Sequence, residues 1–275
     1  LVQLDASADD AAEIAARLDA LPDWGSERDV IEYYVRTGLW AADAAVSAAN
    51  AQGAFLFWNH PSWSDQAPDG KPPVSPQHQR WFSEKLLHGI EVVNGVSYSP
   101  ESFQLAIDND LALIGTSDVH DLIDWDYLPE LGGHRPVTLV FATSAQMTAV
   151  RAALFAKRTA VWFQDTLLGR ERELAPLVKA SIVVTSAHYL PETTLVQVRL
   201  ENRSSVPFQL QNLSNFGDQN NPGPVTLPAL GALTLELATG VRLAEISWPV
   251  RVVNAYTTPN TQLVITLSSP VADAE

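Results

Sequence analysis

The 275-residue chain has no cysteine, which excludes disulfide bridges and any reaction that needs a thiolate. A metal ion must therefore bind to histidine, carboxylate, carbonyl or water ligands. The chain also lacks an apolar run of about 20 residues, the length that a membrane-spanning helix needs. Positive charge is scarce, because 17 Lys and Arg stand against 32 Asp and Glu, for a net charge of -15. The few basic residues are scattered, so we expect no nucleic-acid partner.

The first part of the chain has the pattern of an α/β protein. Its composition, 46% hydrophobic and 18% charged, is that of an ordinary globular domain. Up to about residue 165, short apolar runs alternate with Ala-rich helical stretches, which is typical of a parallel sheet or barrel. Strands are predicted at 53–59, 89–94, 111–117 and 136–142, and helices near 43–51, 76–87, 99–109 and 144–156.

Beyond about residue 180 the helical periodicity disappears and turn clusters separate short β-rich runs. This pattern predicts an all-β immunoglobulin-like sandwich of about 95 residues. We place the boundary near Val178, which gives domains 1–178 and 179–275. We expect the sandwich to be a separate antiparallel unit that supports the first domain or an oligomer interface. The predicted strands are 181–186, 194–201, 207–213, 232–237, 251–256 and 262–268.

His60 is the first candidate functional residue, because it directly follows an apolar strand and precedes Pro61. In a parallel α/β barrel, functional side chains collect at the carboxyl ends of the strands. His60 would then point into the mouth of the barrel as a metal ligand. A histidine that caps a strand or packs in the core is the alternative.

Asp118 and His120 form a second candidate, since the apolar strand at 111–117 ends in Asp-Val-His. Side chains at positions i and i+2 of a strand project to the same face, so both can reach one cation. Carboxylate and imidazole are the ligands of Zn, Mn and Fe sites, and bridging carboxylates occur in two-metal hydrolases. A polar loop after a strand is the alternative.

Four further polar residues lie near predicted strands. Glu91 and Asn94, in the second strand, are candidates to orient metal ligands or a bound water, although a simple strand end explains them too. Arg135 is a candidate clamp for a phosphate, with His134 beside it. An exposed ion pair is an equally good explanation for Arg135.

No residue stands out as a protein nucleophile. Ser62 and Ser117 lie near the candidate ligands, but the sequence places no histidine and acid at triad-like positions around them. The nucleophile is therefore expected to be a metal-bound water. Aromatic residues are candidates to line a pocket for an apolar ester group, although core packing is the more frequent role. They are Trp58, Trp63, Trp81 and Trp125.

Several of these segments, in this order and spacing, resemble the later motifs of the PHP (polymerase and histidinol phosphatase) superfamily. They are the strand that ends in His60-Pro61, the run GIEVVNG at 89–95 and the run GTSDVH at 115–120. Residues 134–142 and 158–171 resemble the bacterial branch that acts on phosphodiesters and carries a C-terminal β-sandwich. The ordered set covers most of residues 50–180 and is more specific than any single piece.

The resemblance implies a distorted (βα)7 barrel, of which this chain carries the C-terminal portion, with two or three divalent ions (Mn, Zn or Fe) at its mouth. His60 matches the family's His-Pro ligand, and Asp118 and His120 match its final Asp-x-His pair. The implied activity is hydrolysis of phosphate esters, with phosphodiesters of small organic alcohols as the expected substrates. The resemblance also favours a periplasmic or secreted protein, with the cytoplasm left open, and allows a homo-oligomer.

The chain departs from the family at its beginning, because residues 1–59 contain no histidine where the family's earlier ligands should lie. Three explanations compete: a fragment of a longer protein, a degenerate relative, or a missing half supplied by another chain. We expect the first, with residues 1–5 as the tail of a strand and an upstream His-x-His that completes the site. The alternative function is a catalytically degenerate barrel that serves with its sandwich as a binding or assembly module.

Overall fold

The computed structural model describes residues 42–65, 67–218 and 223–273. The strand expected at residues 1–5 lies outside this part of the chain. Within it, no helix is both long and apolar enough to cross a membrane.

A small, mainly parallel sheet forms the first part of the described fold. Strand β2 lies at its centre, with β1 and β4 parallel to it on either side and β3 antiparallel to its end. Helices α2 and α3 each begin after a serine whose side chain accepts a backbone N–H, with proline at the first helical position. The elements are α1 (Ala42–Ala51), β1 (Phe57–Trp58), α2 (Pro76–Ser83), β2 (Gly89–Asn94), β3 (Ser97–Tyr98), α3 (Pro100–Asp108) and β4 (Ala112–Thr116).

An antiparallel group of three strands follows β4. Strand β6 pairs with β5 on one side and with β7 on the other. A short helix and a 3-10 turn precede this group, and a helix of 11 residues leads out of it. The elements are α4 (Ile123–Tyr127), the 3-10 turn Pro129–Leu131, β5 (Val137–Val140), α5 (Met147–Phe155), β6 (Thr159–Phe163), β7 (Thr166–Gly169) and α6 (Glu171–Ser181).

Threonine hydroxyl groups join β4 to the antiparallel group. The hydroxyl of Thr138 accepts the N–H of Gly115 and donates to the carbonyl of the same residue, both at 2.9 Å. The N–H of Leu113 donates to the hydroxyl of Thr159 at 3.0 Å. Gly115 allows this close approach, because a Cβ at that position would collide with the side chain of Val161. The wall of the α/β part therefore turns from β4 onto β5 and β6.

The C-terminal part is a sandwich of two sheets. One sheet has the order β11-β13-β9-β8, and the other contains β12, β10, β14 and β15. Alternate side chains of each strand face the core, as in Leu195–Asn202, where Val196, Val198 and Leu200 are fully buried. The strands are β8 (Ile182–Tyr189), β9 (Leu195–Asn202), β10 (Phe208–Asn212), β11 (Gly217–Asp218), β12 (Val225–Leu227), β13 (Ala232–Ala238), β14 (Glu245–Thr258) and β15 (Thr261–Pro270).

The sandwich is not the separate unit that the sequence predicts. Strand β14 pairs in parallel with β7 through Ala255 and Leu167, so β5, β6 and β7 belong to the same seven-stranded sheet as β10, β12, β14 and β15. The buried side chains of Leu174 and Val178 in α6 pack into the core of the sandwich. The proposed boundary near Val178 falls within this helix.

Most of the predicted elements occur at the expected positions. Strand β1 has two residues and is shorter than predicted, because the described residues before it form no regular strand pairing. Strand β14 is longer than predicted and runs on both sides of Pro249. The sequence pattern did not indicate the short elements β3, α4, β11 and β12, which are too short to show a period, and it also missed β6, β7 and helix α6.

Candidate metal centre

A cavity of about 780 Å³ lies at the carboxyl ends of the parallel strands. Polar side chains of β2 and of the segments that follow β1 and β4 line it, because parallel strands end at the same edge of a sheet. The loop after β1 and the start of α3 form the other walls. The lining residues include His60, Ser62, Trp63, Glu91, Asn94, Tyr98, Ser99, Glu101, Ser102, Asp118 and His120.

His60 is half-buried and lies two residues beyond the end of β1. Its backbone has a φ of +30°, an uncommon conformation for a residue with a side chain. Its Nε2 atom is 2.9 Å from the amide nitrogen of Asn59, and its ring meets Trp63 edge-on at 5.6 Å. The Nδ1 atom is buried and has no hydrogen-bond partner in the described part of the chain. A buried imidazole nitrogen without a partner fits a missing ligand.

Asp118 and His120 follow the end of β4 and are both exposed at the cavity wall. Asp118 also has a left-handed backbone, with a φ of +49°. A hydrogen bond stabilises this turn, since the hydroxyl of Tyr127 donates to the carbonyl of Ser117 at 3.0 Å. Burial, and then the negative charges of Asp126 and Asp118, raise the pKa of Tyr127, so this donor keeps its proton at neutral pH.

Glu91 and Asn94 lie beside His60. The carboxylate of Glu91 is only 2% exposed and accepts hydrogen bonds from the backbone N–H of His60 and the hydroxyl of Thr116. The amide of Asn94 donates to the same carboxylate at 3.0 Å. Their role in orienting metal ligands stays a prediction.

The structure does not show the compact three-ligand cluster that the sequence predicts. Among residues 42–65, 67–218 and 223–273, no three His, Asp or Glu side chains come close enough together to hold a metal ion. His60, Asp118 and His120 share one cavity and have suitable chemistry, and the Nδ1 atom of His60 has no hydrogen-bond partner in the described chain. They therefore fit part of a metal site, and their assignment as ligands remains a prediction.

His134 and Arg135 lie away from this cavity, among whose lining residues in the described chain they do not occur. The ring of His134 packs on Trp162 with centroids 4.0 Å apart. Its Nδ1 atom is 2.8 Å from the carbonyl of Arg135, and its Nε2 atom is 3.1 Å from the carbonyl of Gln164. These contacts hold the segment that leads into β5. They do not support a role of His134 and Arg135 in binding a phosphate.

Sequence reasoning overlooked one wall of the cavity, formed by the start of α3. The hydroxyl of Ser62 is 2.8 Å from that of Ser99 and 3.4 Å from that of Ser102. The hydroxyl of Tyr98 is buried without a partner in the described chain, and burial raises the pKa of Tyr98 to about 12. The sequence signal for this wall was the pair Ser99-Pro100, which begins a helix, because the N-terminal turns of helices often face ligand-binding sites.

The tryptophan residues divide between the core and the rim. Trp63 lines the cavity and is 50% exposed, and Trp125 is 69% exposed. Trp58 stacks on His78 at 4.1 Å, and Trp81 is buried. Ser62 and Ser117 make contacts with serine and tyrosine hydroxyl groups, and neither contacts a histidine among the hydrogen bonds of the described residues.

The fold and this cavity place the chain among α/β proteins with a site at the carboxyl ends of parallel strands and a C-terminal sandwich. A family model described as an Ig-like domain, DUF5001, matches residues 182–268. No curated protein matches the chain.

Among solved structures, the chain is similar to a two-domain protein from Bacteroides vulgatus that contains a predicted PHP-like metal-dependent phosphoesterase. The two share 32% sequence identity with a TM-score of 0.74, over 82% of this chain. This chain spans 65% of the length of that protein. The fold class predicted from the sequence is thereby confirmed: an α/β part of the PHP-like barrel type is followed by an immunoglobulin-like sandwich.

Proposed function

We propose that this chain forms one wall of the active site of a metal-dependent phosphoesterase. The observation that carries the proposal is the cavity itself: His60, Asp118 and His120 line it beyond the ends of β1 and β4, and the Nδ1 atom of His60 lacks a partner among the described residues. The similarity to a protein with a predicted PHP-like metal-dependent phosphoesterase supports the same chemistry. Ligands outside the described residues would complete the site.

We infer that the substrates are phosphodiesters of small organic alcohols. A volume of about 780 Å³ accommodates a small ligand, whose sites usually have 300–1,000 Å³. The described lining has the carboxylates of Glu91, Glu101 and Asp118 and no Lys or Arg, so cations must offset the charge of a phosphate. Two or three divalent ions (Mn, Zn or Fe) would supply Lewis acidity and a hydroxide nucleophile near neutral pH.

The protein side chains have distinct roles in this proposal. His60, Asp118 and His120 hold the metal from one side of the cavity. The hydroxyl groups of Ser62 and Ser99, which also line the cavity, donate to ester or alcohol oxygens. No protein nucleophile takes part.

Metal analysis and hydrolysis assays on the full-length protein test the proposal. The variants are His60→Ala and Asp118→Asn, with His188→Ala in β8 of the sandwich as the matched control. We expect stoichiometric Mn or Zn, and hydrolysis of bis(p-nitrophenyl) phosphate, in the wild-type protein and in the control. Both site variants should lose the metal and the activity.

A different result supports the alternative function. If the full-length protein neither binds metal nor hydrolyses a phosphodiester or p-nitrophenyl phosphate, the barrel is a binding or assembly module. A preference for the monoester over the diester would contradict the substrate class and leave the reaction type standing.

A further inference from the structure

Glu91 is a buried carboxylate in the middle of β2, with 2% of its surface exposed. It lines the cavity but is shielded from solvent by the surrounding chain. A charged side chain in such surroundings is costly unless hydrogen bonds satisfy its oxygen atoms. Its presence here therefore requires a structural or functional reason.

Three donors satisfy Glu91, and they come from the ends of three different strands. Oε2 accepts the backbone N–H of His60 beyond β1 and the amide of Asn94 at the end of β2, the latter at 3.0 Å. Oε1 accepts the hydroxyl of Thr116 at the end of β4. All three contacts direct a hydrogen atom toward the carboxylate, so an acceptor-only group suits each of them.

The contact with His60 differs from the other two, because it holds a backbone group in an unfavourable conformation. With a φ of +30°, His60 lies in a region that residues with a Cβ rarely adopt, so the conformation is strained. The chain adopts this conformation where its N–H donates to a buried carboxylate, and charge-assisted hydrogen bonds of this kind are strong. The backbone angle in turn decides where the imidazole ring lies in the cavity.

We propose that Glu91 is the positioning residue of this site: its carboxylate fixes the backbone of His60 and so directs the imidazole toward a cation in the cavity. The negative charge of Glu91 also favours a cation near His60, since Glu91 and His60 line the same cavity. The part of the proposal that concerns the cation rests on the proposed function. The part that concerns the backbone of His60 does not.

The decisive substitution is Glu91→Gln, which keeps the shape of the side chain. A glutamine has one acceptor oxygen, and its NH2 group would face a donor from either His60 or Thr116. The matched control is Thr116→Val, which removes the contact to Oε1 and leaves the contact to His60 in place. Side-chain 15N NMR of the histidines in the metal-free full chain should show displaced His60 signals in Glu91→Gln and unchanged ones in Thr116→Val.

Zn²⁺ and Mn²⁺ affinity, measured by titration calorimetry on the full-length protein, provides the second readout. We expect a 10- to 100-fold loss in Glu91→Gln, the usual range when a residue that orients a metal ligand is changed. Glu91→Asp, which keeps the charge on a shorter side chain, should restore part of this loss. A Glu91→Gln protein that loses thermal stability but keeps the His60 signals and the metal affinity would overturn the proposal.

Hydrogen exchange in the wild-type chain decides the matter if Glu91→Gln does not fold. The backbone amide of His60 should be strongly protected, because its partner is a buried carboxylate. Exchange at the rate of an unstructured peptide would refute the contact and the proposal with it. If the wild-type protein binds no metal at all, the proposed function fails, while the NMR and exchange results still decide the role of Glu91.

Discussion

The side-chain amide of Asn254, in β14 of the sandwich, donates a hydrogen bond to the backbone carbonyl of Asp165 in the turn between β6 and β7. The same amide donates to the carbonyl of Pro207 at 2.8 Å, and its oxygen accepts the N–H of Gln209 at 3.0 Å. Asn254 is 7% exposed. One buried side chain thus satisfies three backbone groups and fastens the α/β part to two strands of the sandwich.

Asn254→Ala should destabilise both parts of the protein together. The substitution leaves backbone groups of Asp165, Pro207 and Gln209 without their partner, and each buried unsatisfied group costs about 1–3 kcal/mol. Urea unfolding followed by fluorescence should show a lower midpoint with one cooperative transition. Asn212→Ala, which removes bonds within a single half-buried turn, is the matched control and should cost less. An unchanged midpoint in Asn254→Ala would contradict this bridging role.

Removal of residues 179–275 should abolish folding of the remaining chain. Strand β7 would lose its parallel partner β14, and the side chains of Leu167, Leu174 and Val178, at most 1% exposed, would face water. We expect aggregation on expression, or a circular dichroism spectrum without cooperative thermal unfolding. A soluble, cooperatively folded 1–178 fragment would show that the sandwich is dispensable for the α/β part.

Gly115→Ala should destabilise the protein through overpacking. The added methyl group would collide with the buried side chain of Val161, and such insertions typically cost about 1–3 kcal/mol. The double variant with Val161→Ala should regain part of this loss, because the smaller side chain opens space where the methyl group lies. Urea midpoints of the four proteins measure the coupling energy. Strict additivity would mean that β4 and β6 do not approach each other at Gly115.

Acidification from pH 7.5 to 5.5 should destabilise the chain through His88. Burial, and then the positive charges of Lys157 and Arg151, lower the pKa of His88 below its usual value near 6.5. The unfolded chain therefore binds the proton more tightly, so stability is full above pH of about 6.5 and is lost as the pH falls. Protonation of Nδ1 would also end its acceptance of the Leu56 N–H at 3.0 Å.

His88→Asn isolates this effect, since the amide oxygen of asparagine can accept the same N–H without titrating in this range. We expect a weaker pH dependence of the urea midpoint in this variant than in the wild type. An identical dependence in both proteins would assign the titration to another group.

The sequence predicted the local elements of this fold well and its long-range pairing poorly. Strands β2 and β4 and helix α3 followed from apolar runs and serine caps, which are local signals. The parallel pairing of Ala255 with Leu167 joins residues 88 positions apart, and no local pattern encodes it. Because of this pairing, the α/β part and the sandwich, whose sequence patterns differ, share one sheet.

The candidate site was predictable to a similar extent. The rule that polar residues after parallel strands meet at one edge placed His60, Asp118 and His120 in one cavity. It gave no distance between them, because all three lie beyond the strands, where backbone angles such as those of His60 and Asp118 set the side-chain direction. His134 followed the family pattern in sequence and lies against Trp162, since packing within its own strand group decided its position.

The two sides of β4 are held by different kinds of contact, because hydroxyl groups, and not a backbone ladder, join β4 to its antiparallel neighbours. Between β4 and β2, backbone hydrogen bonds must break before the strands separate. Between β4 and the strands that carry Thr138 and Thr159, rotation of two side chains about χ1 releases Leu113 and Gly115 and leaves the neighbouring strand pairs intact. The junction between β4 and these strands therefore depends on two threonine side chains and on the packing of Val161 against Gly115, and not on a backbone ladder.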